Sequence, residues 1–224
     1  MNAPKNILLG LLAASGVMMG VLVAGAHSPL AMRGGFRFVA EAASALAVCA
    51  AAVAWSERIP SRAGIFRAAF FTGMAGAVLQ VVHMSLEAFG QHVGDRGDLT
   101  TGFMAAALFW WGAVGFAVAW RAGRMRDAVF AAGFSAVATM IVAVAYGLGL
   151  AWAGYPDDAY VRTWPEYVQS GWSDARAFAI ANSLDAVLSH FVAAPVIGSL
   201  LGGVGAWLAF MLRRSRAGTA ARDA

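Results

Sequence analysis

The sequence has little charge, almost no lysine and a single cysteine. Only 12% of the 224 residues are charged and 60% are hydrophobic, whereas roughly 25% of the residues in a soluble domain are charged. Such a chain has too little polar surface to fold alone in water, which excludes a soluble domain and indicates an integral membrane protein. The lone Cys49 excludes an intramolecular disulfide and a CxxC metal motif.

The excess of basic residues does not indicate nucleic-acid binding. The net charge is +4, and every basic residue except Lys5 is an arginine. These arginines stand in short stretches between apolar runs, a pattern typical of membrane orientation. We therefore expect the lipid bilayer as partner and no nucleic acid. The preference for arginine over lysine is typical of a GC-rich bacterial genome, which favours the bacterial inner membrane as the location.

Six apolar runs are long enough to cross a bilayer, which needs roughly 20 residues per helix. The sequence thus predicts an all-α bundle of about six transmembrane helices, forming one integral-membrane domain over residues 1–224. The predicted spans are residues 7–26, 38–56, 67–89, 100–120, 128–153 and 188–212.

The arginines predict the orientation of these spans. They concentrate in the loops at 57–67 and 121–127 and at the C-terminus, whereas the loops at 90–99 and 154–176 are acidic. The positive-inside rule then places both termini in the cytoplasm, and only the first outer loop, which holds Arg33 and Arg37, disagrees with this orientation. The first span ends in Ala24-Gly25-Ala26, which resembles a signal-peptide cleavage site. Its apolar run exceeds the 7–15 residues of a signal peptide, so we expect it to be retained.

The long outer segment, residues 154–187, mixes charges with aromatic residues. Tyr and Trp favour the headgroup region of a membrane. We expect one or two short helices on the outer surface, with Ser173 or Asp174 capping the second. The segment is interpreted either as an interfacial anchor or as a lid over an outward-facing cavity.

Polar residues form a stripe along the third span. Thr72, Gly76, Gln80, His83 and Glu87 recur at intervals of three or four residues, which places them on one face of a helix. Ionisable groups are costly in lipid, so this face should meet protein or water.

Other titratable side chains fall in the same outer half. They are His27, Glu41, His92, Asp185 and His190. From this convergence we predict a substrate-binding site formed by Gln80, His83, Glu87, Glu41 and His190. Histidine and carboxylate ligands suit transition metals, so His83, Glu87, His190 and His27 are candidate metal ligands. A haem held between His83 and His190 is a weaker alternative.

Two glycine motifs indicate close helix packing. Gly16–Gly20 lies in the first span and Gly198–Gly202 in the last. They predict either contact between these two spans or an interface in a homo-oligomer or a larger membrane complex.

Ser135 does not indicate an intramembrane serine protease. It lies near the inner end of its span, whereas His190 enters the membrane from the outside, so the two cannot act as nucleophile and base. Ser135, Thr139 and Tyr146 instead predict a polar seam between helices.

Three functions fit this sequence. The first is a permease-like protein, or the membrane subunit of a transporter, with an outward-facing site for a cation or small polar solute. The second is a structural or assembly subunit of a membrane complex. The third is a redox subunit that binds haem, a metal or a quinone. Intramembrane ionisable residues favour the first, and no catalytic residues are predicted.

Overall fold

A computed structural model describes residues 3–56, 63–89 and 97–220 of the chain, and this part is helical without strands. Six of its helices are long and apolar enough to cross a membrane, which confirms the predicted class. The helices are α1 (Ala3–Ala24), α2 (Gly35–Trp55), α3 (Ala63–Phe89), α4 (Gly97–Ala122), α5 (Met125–Trp152), the short α6 (Asp158–Val161) and α7 (Pro165–Ser170), and α8 (Ala175–Ala220).

The last helix is much longer than its predicted span. It begins at Ala175 instead of residue 188 and runs for 46 residues. The predicted outer segment therefore ends earlier, because residues 175–187 belong to the spanning helix. Asp174 explains this start, since its carboxylate accepts a hydrogen bond of 3.0 Å from the Ala177 N–H. The predicted cap is thus present, but it caps α8 and not a separate interfacial helix.

Helix α5 is the centre of the bundle. Of its most apolar 18-residue stretch, 67% is buried, compared with 22–28% for the same stretch of the other five long helices. The helix is rich in alanine, and its small side chains allow α1, α3, α4 and α8 to pack around it. The main hydrophobic core includes Leu8 of α1, Ile141 and Leu148 of α5, and Leu184 of α8.

The glycines of α8 pack within the chain. A Cβ atom at Gly198 would lie 2.6 Å from the Cβ of Ala136, and one at Gly202 would collide with the side chain of Ala132. The partner of this motif is therefore α5, and neither α1 nor a second copy is needed to cover it. A Cβ at Gly16 or Gly20 would meet no described atom within 4 Å, so that face of α1 is open.

The end of α4, the start of α5 and the last part of α8 pack together at one end of the bundle. There the Arg213 guanidinium lies 5.3 Å from the ring of Trp120. We call this the arginine-rich end; its arginines are Arg121, Arg124, Arg126, Arg213, Arg214 and Arg216. The end of α3, the start of α8 and the short helices lie at the opposite end.

Candidate functional site

A cavity of about 790 Å³ opens at the opposite end, between α3, α5 and α8. Residues 155–164 form a further wall, and α4 contributes Met104. The polar and aromatic lining residues are Gln80, His83, Glu87, Tyr155, Tyr160, Trp164, Asn182, Ser183 and His190, and the remainder is mostly apolar. Four of the five residues predicted to bind substrate therefore share one cavity.

The lower part of the polar stripe of α3 faces α5 below the cavity, so it meets protein as expected. The Thr72 hydroxyl donates to the Ser135 hydroxyl at 3.2 Å, and the Thr139 hydroxyl donates to the Gly73 carbonyl oxygen at 2.9 Å. Higher up, the hydroxyls of Ser85 and Tyr146 lie 2.6 Å apart. The predicted polar seam is confirmed, and it fixes which face of α3 turns towards the cavity.

His83 is the most unusual residue of the cavity. It is only 8% exposed, and neither ring nitrogen has a hydrogen-bond partner within the described part of the chain. Its Nε2 lies 3.6 Å from Oε1 of Glu87, beyond hydrogen-bond distance, and the Glu87 side chain is 56% exposed. A buried polar group without a partner is costly, and the nitrogens of His83 lie beside a cavity that has room for water or a bound molecule.

His190 presents a defined nitrogen. Its Nδ1 lies 2.6 Å from the Ala186 carbonyl oxygen, which can only accept, so Nδ1 carries the proton and donates. In the neutral ring Nε2 is then a hydrogen-bond acceptor. Pro195, five residues further along α8, cannot donate a backbone hydrogen bond to Phe191, which weakens the helix just below the cavity.

The wall formed by residues 155–164 is held in place by buried contacts. The guanidinium of Arg176, a residue that is 9% exposed, donates through Nη1 to the Pro156 carbonyl oxygen at 3.0 Å. Asp157 caps α6 by accepting a 2.8 Å hydrogen bond from the Tyr160 N–H. The rings of Tyr160 and Trp164 meet edge to face and line the cavity. These aromatic residues thus form part of the cavity wall, and both interpretations of the segment, anchor and lid, stay predictions.

Two predicted site residues lie elsewhere. Glu41 does not line the cavity; its carboxylate pairs with Arg37 at 2.7 Å, one turn away on α2. His27 pairs through Nδ1 with Asp174 at 2.9 Å. Partial burial opposes ionisation of Asp174, but hydrogen bonds from Ala177 and His27 outweigh it and hold the pKa of that carboxyl below its ordinary value.

The predicted metal ligands do not assemble. Within residues 3–56, 63–89 and 97–220, no three His, Cys, Asp or Glu side chains are grouped so that they could hold a metal ion. His27 is engaged with Asp174, away from the cavity that holds His83 and His190. His92, the remaining histidine, lies outside the described residues.

Several lining residues were not predicted from the sequence, notably Asn182 and Ser183 of α8. The signal was present, because Asn182, Ala186 and His190 recur every four residues and so share a helix face. The predicted last span begins only at residue 188, so Asn182 fell outside the predicted helix.

The fold is that of a polytopic α-helical membrane protein, and a cavity of about 790 Å³ lies at one end of the bundle. No family model, curated protein or solved structure matches the chain.

Proposed function

We propose that this protein is a permease-like membrane protein that binds a small organic cation in the cavity beside α3, α5 and α8. The observation that carries the proposal is the buried imidazole of His83, which has no hydrogen-bond partner among the described residues, on the wall of a 790 Å³ cavity. Cavities of about 300–1,000 Å³ with a mostly apolar lining and a few polar groups are typical small-molecule sites.

The charge of the lining favours a cationic solute. Among the described residues that line the cavity, Glu87 is a carboxylate and none is Lys or Arg, so the lining carries a fixed negative charge and no fixed positive one. His190 offers Nε2 as an acceptor, and Gln80 and Asn182 offer amide oxygens. These groups match a solute that carries hydrogen-bond donors.

The aromatic wall favours an organic cation over a metal ion. Tyr155, Tyr160 and Trp164 can hold an ammonium group against their ring faces. A transition metal would need a compact set of ligands, and the described residues do not provide three. Outward orientation of this end, predicted by the arginines, supports uptake from outside the cell.

The test is binding and uptake of defined organic cations. The purified protein is titrated with tetramethylammonium, choline and spermidine, and quenching of tryptophan fluorescence reports occupancy near Trp164. The expected result is saturable binding of at least one probe that is lost in His83→Ala and weakened in Glu87→Gln. Counterflow of the same probe in proteoliposomes distinguishes a permease from a receptor.

Two matched controls keep this test specific. His27→Ala removes a histidine outside the cavity, and Glu166→Gln removes an exposed carboxylate on α7 that does not line it. Both should bind the probe like the unmodified protein. Equal loss of binding in the controls, or failure of all three probes to bind, would contradict the proposal.

A further inference from the structure

A second concave site lies on the membrane-facing surface near the arginine-rich end. It is a groove of about 620 Å³ between the start of α5 and the middle of α8, and its lining is almost entirely apolar. The residues that line it are Met125, Val129, Pro195, Val196, Ser199, Leu200 and Gly203. We call it the α5–α8 groove.

The groove follows from the sequence of α8. Residues 195, 196, 199, 200 and 203 recur at helical spacing and form one face. Gly203 and Ser199 are small and create the depression, while Val196 and Leu200 are 56% and 67% exposed and form its rim. From Gly203 to Pro195 the helix rises about 12 Å, so the groove runs along the helix into the depth of the membrane.

Basic residues lie beside the groove where it meets the membrane surface. Arg124 and Arg126 flank Met125 in the chain, and both are exposed. Neither pairs with a carboxylate in the described part of the chain. In contrast, Arg213 and Arg216 at the same end lie against the ring of Trp120, at 5.3 and 5.1 Å from its centre. Among the described residues, Arg124 and Arg126 therefore have no carboxylate partner, and they lie next to Met125 of the α5–α8 groove.

We propose that the α5–α8 groove binds one anionic phospholipid, with an acyl chain in the groove and the phosphate between Arg124 and Arg126. The charge complementarity selects this occupant, because an apolar groove alone would accept any lipid chain, whereas two arginines at the headgroup level without a carboxylate partner among the described residues favour an anionic one. The site is separate from the cavity and does not depend on the proposed function.

The test uses the whole protein in phosphatidylcholine vesicles with spin-labelled phosphatidylglycerol or spin-labelled phosphatidylcholine as probe. Electron paramagnetic resonance measures the immobilised fraction of each lipid. Phosphatidylglycerol should be preferred, and each arginine removed should reduce its relative affinity about fivefold. Arg124→Gln/Arg126→Gln should therefore abolish most of the preference, while Arg121→Gln/Arg214→Gln, with the same charge change at the same end, should retain it.

A second variant tests the groove itself. A Cβ at Gly203 would lie 3.7 Å from the nearest atom, a methyl carbon of Val129, so Gly203→Leu fits and its side chain fills the groove. It should also remove the preference, whereas Gly16→Leu on the open face of α1 should not.

Three outcomes would overturn the proposal. The first is no preference for phosphatidylglycerol in the unmodified protein. The second is an equal loss in both arginine double variants, which would indicate diffuse attraction to the whole end. The third is an unchanged preference in Gly203→Leu. If that variant also converts a dimer into monomers, the α5–α8 groove is an interface between two copies of the chain. The arginine variants change only exposed side chains, so they test the proposal even if Gly203→Leu fails to fold.

Discussion

Replacing His83 by leucine should make the empty protein more stable. The imidazole is 8% exposed, and neither nitrogen has a hydrogen-bond partner in the described chain. A buried polar group without a partner costs about 1–3 kcal/mol, and a leucine of similar volume removes that cost. For a protein of this size, about 1 kcal/mol corresponds to a shift in Tm of about 2–4 °C.

The assay is thermal unfolding of the purified protein in one detergent, without added solute. His83→Leu should raise the Tm by at least about 2 °C and abolish binding of the cation probe. His190→Leu is the informative comparison, because Nδ1 of His190 already donates to the Ala186 carbonyl oxygen and the substitution loses that hydrogen bond. Its Tm should not rise.

A lower Tm for His83→Leu would contradict this prediction. That result would show that the imidazole is satisfied in the empty protein, for example by ordered water, and that it stabilises the bundle. His83 would then be a structural residue, and its position on the cavity wall would no longer indicate a ligand.

Three further predictions concern packing, charge and metal content. Gly202→Leu should abolish folded protein, since even a Cβ there collides with Ala132, whereas Gly16→Leu should express normally; size-exclusion chromatography of detergent extracts separates the outcomes. Asp174 has a lowered pKa, so its stabilising effect is complete above its ordinary pKa of 3.8 and is lost as the pH falls through the lower folded value. Asp174→Asn should therefore remove the decrease of the Tm with falling pH between those two pKa values. A variant whose Tm depends on pH as in the unmodified protein would contradict this. Mass spectrometry should find well under one transition metal per chain, and a stoichiometric metal would contradict the cation proposal.

Much of the site could be predicted because helical periodicity alone determines which residues of one helix share a face. Periodicity puts Gln80, His83 and Glu87 on one face of α3, and the cavity contains all three. The end of the bundle to which His190 belongs was also predictable, because the arginines mark the opposite end of the same helix.

The contacts between helices could not be predicted in the same way. Glu41 has the right depth, but α2 pairs it with Arg37, and nothing in its own sequence gives the rotation of α2 about its axis. The partner of Gly198–Gly202 likewise depends on which helix occupies the centre, and the alanine content of α5 was the available hint. The start of α8 could not be predicted from polarity, because an N-cap allows a helix to begin in water, before its apolar run starts.

Helix α8 has a length that the membrane does not require. Its 46 residues extend about 69 Å, whereas the hydrocarbon core is about 30 Å thick. The helix must therefore project into water at one or both faces of the bilayer, and its two ends form parts of different surfaces. The end near Asn182 contributes to the cavity, and the end near Arg213 contacts Trp120. Because an α-helix is stiff along its axis, a tilt of one end also moves the other end. The exception is bending at Pro195, where a backbone hydrogen bond is missing. This single helix thus provides a mechanical connection between the two sides of the membrane.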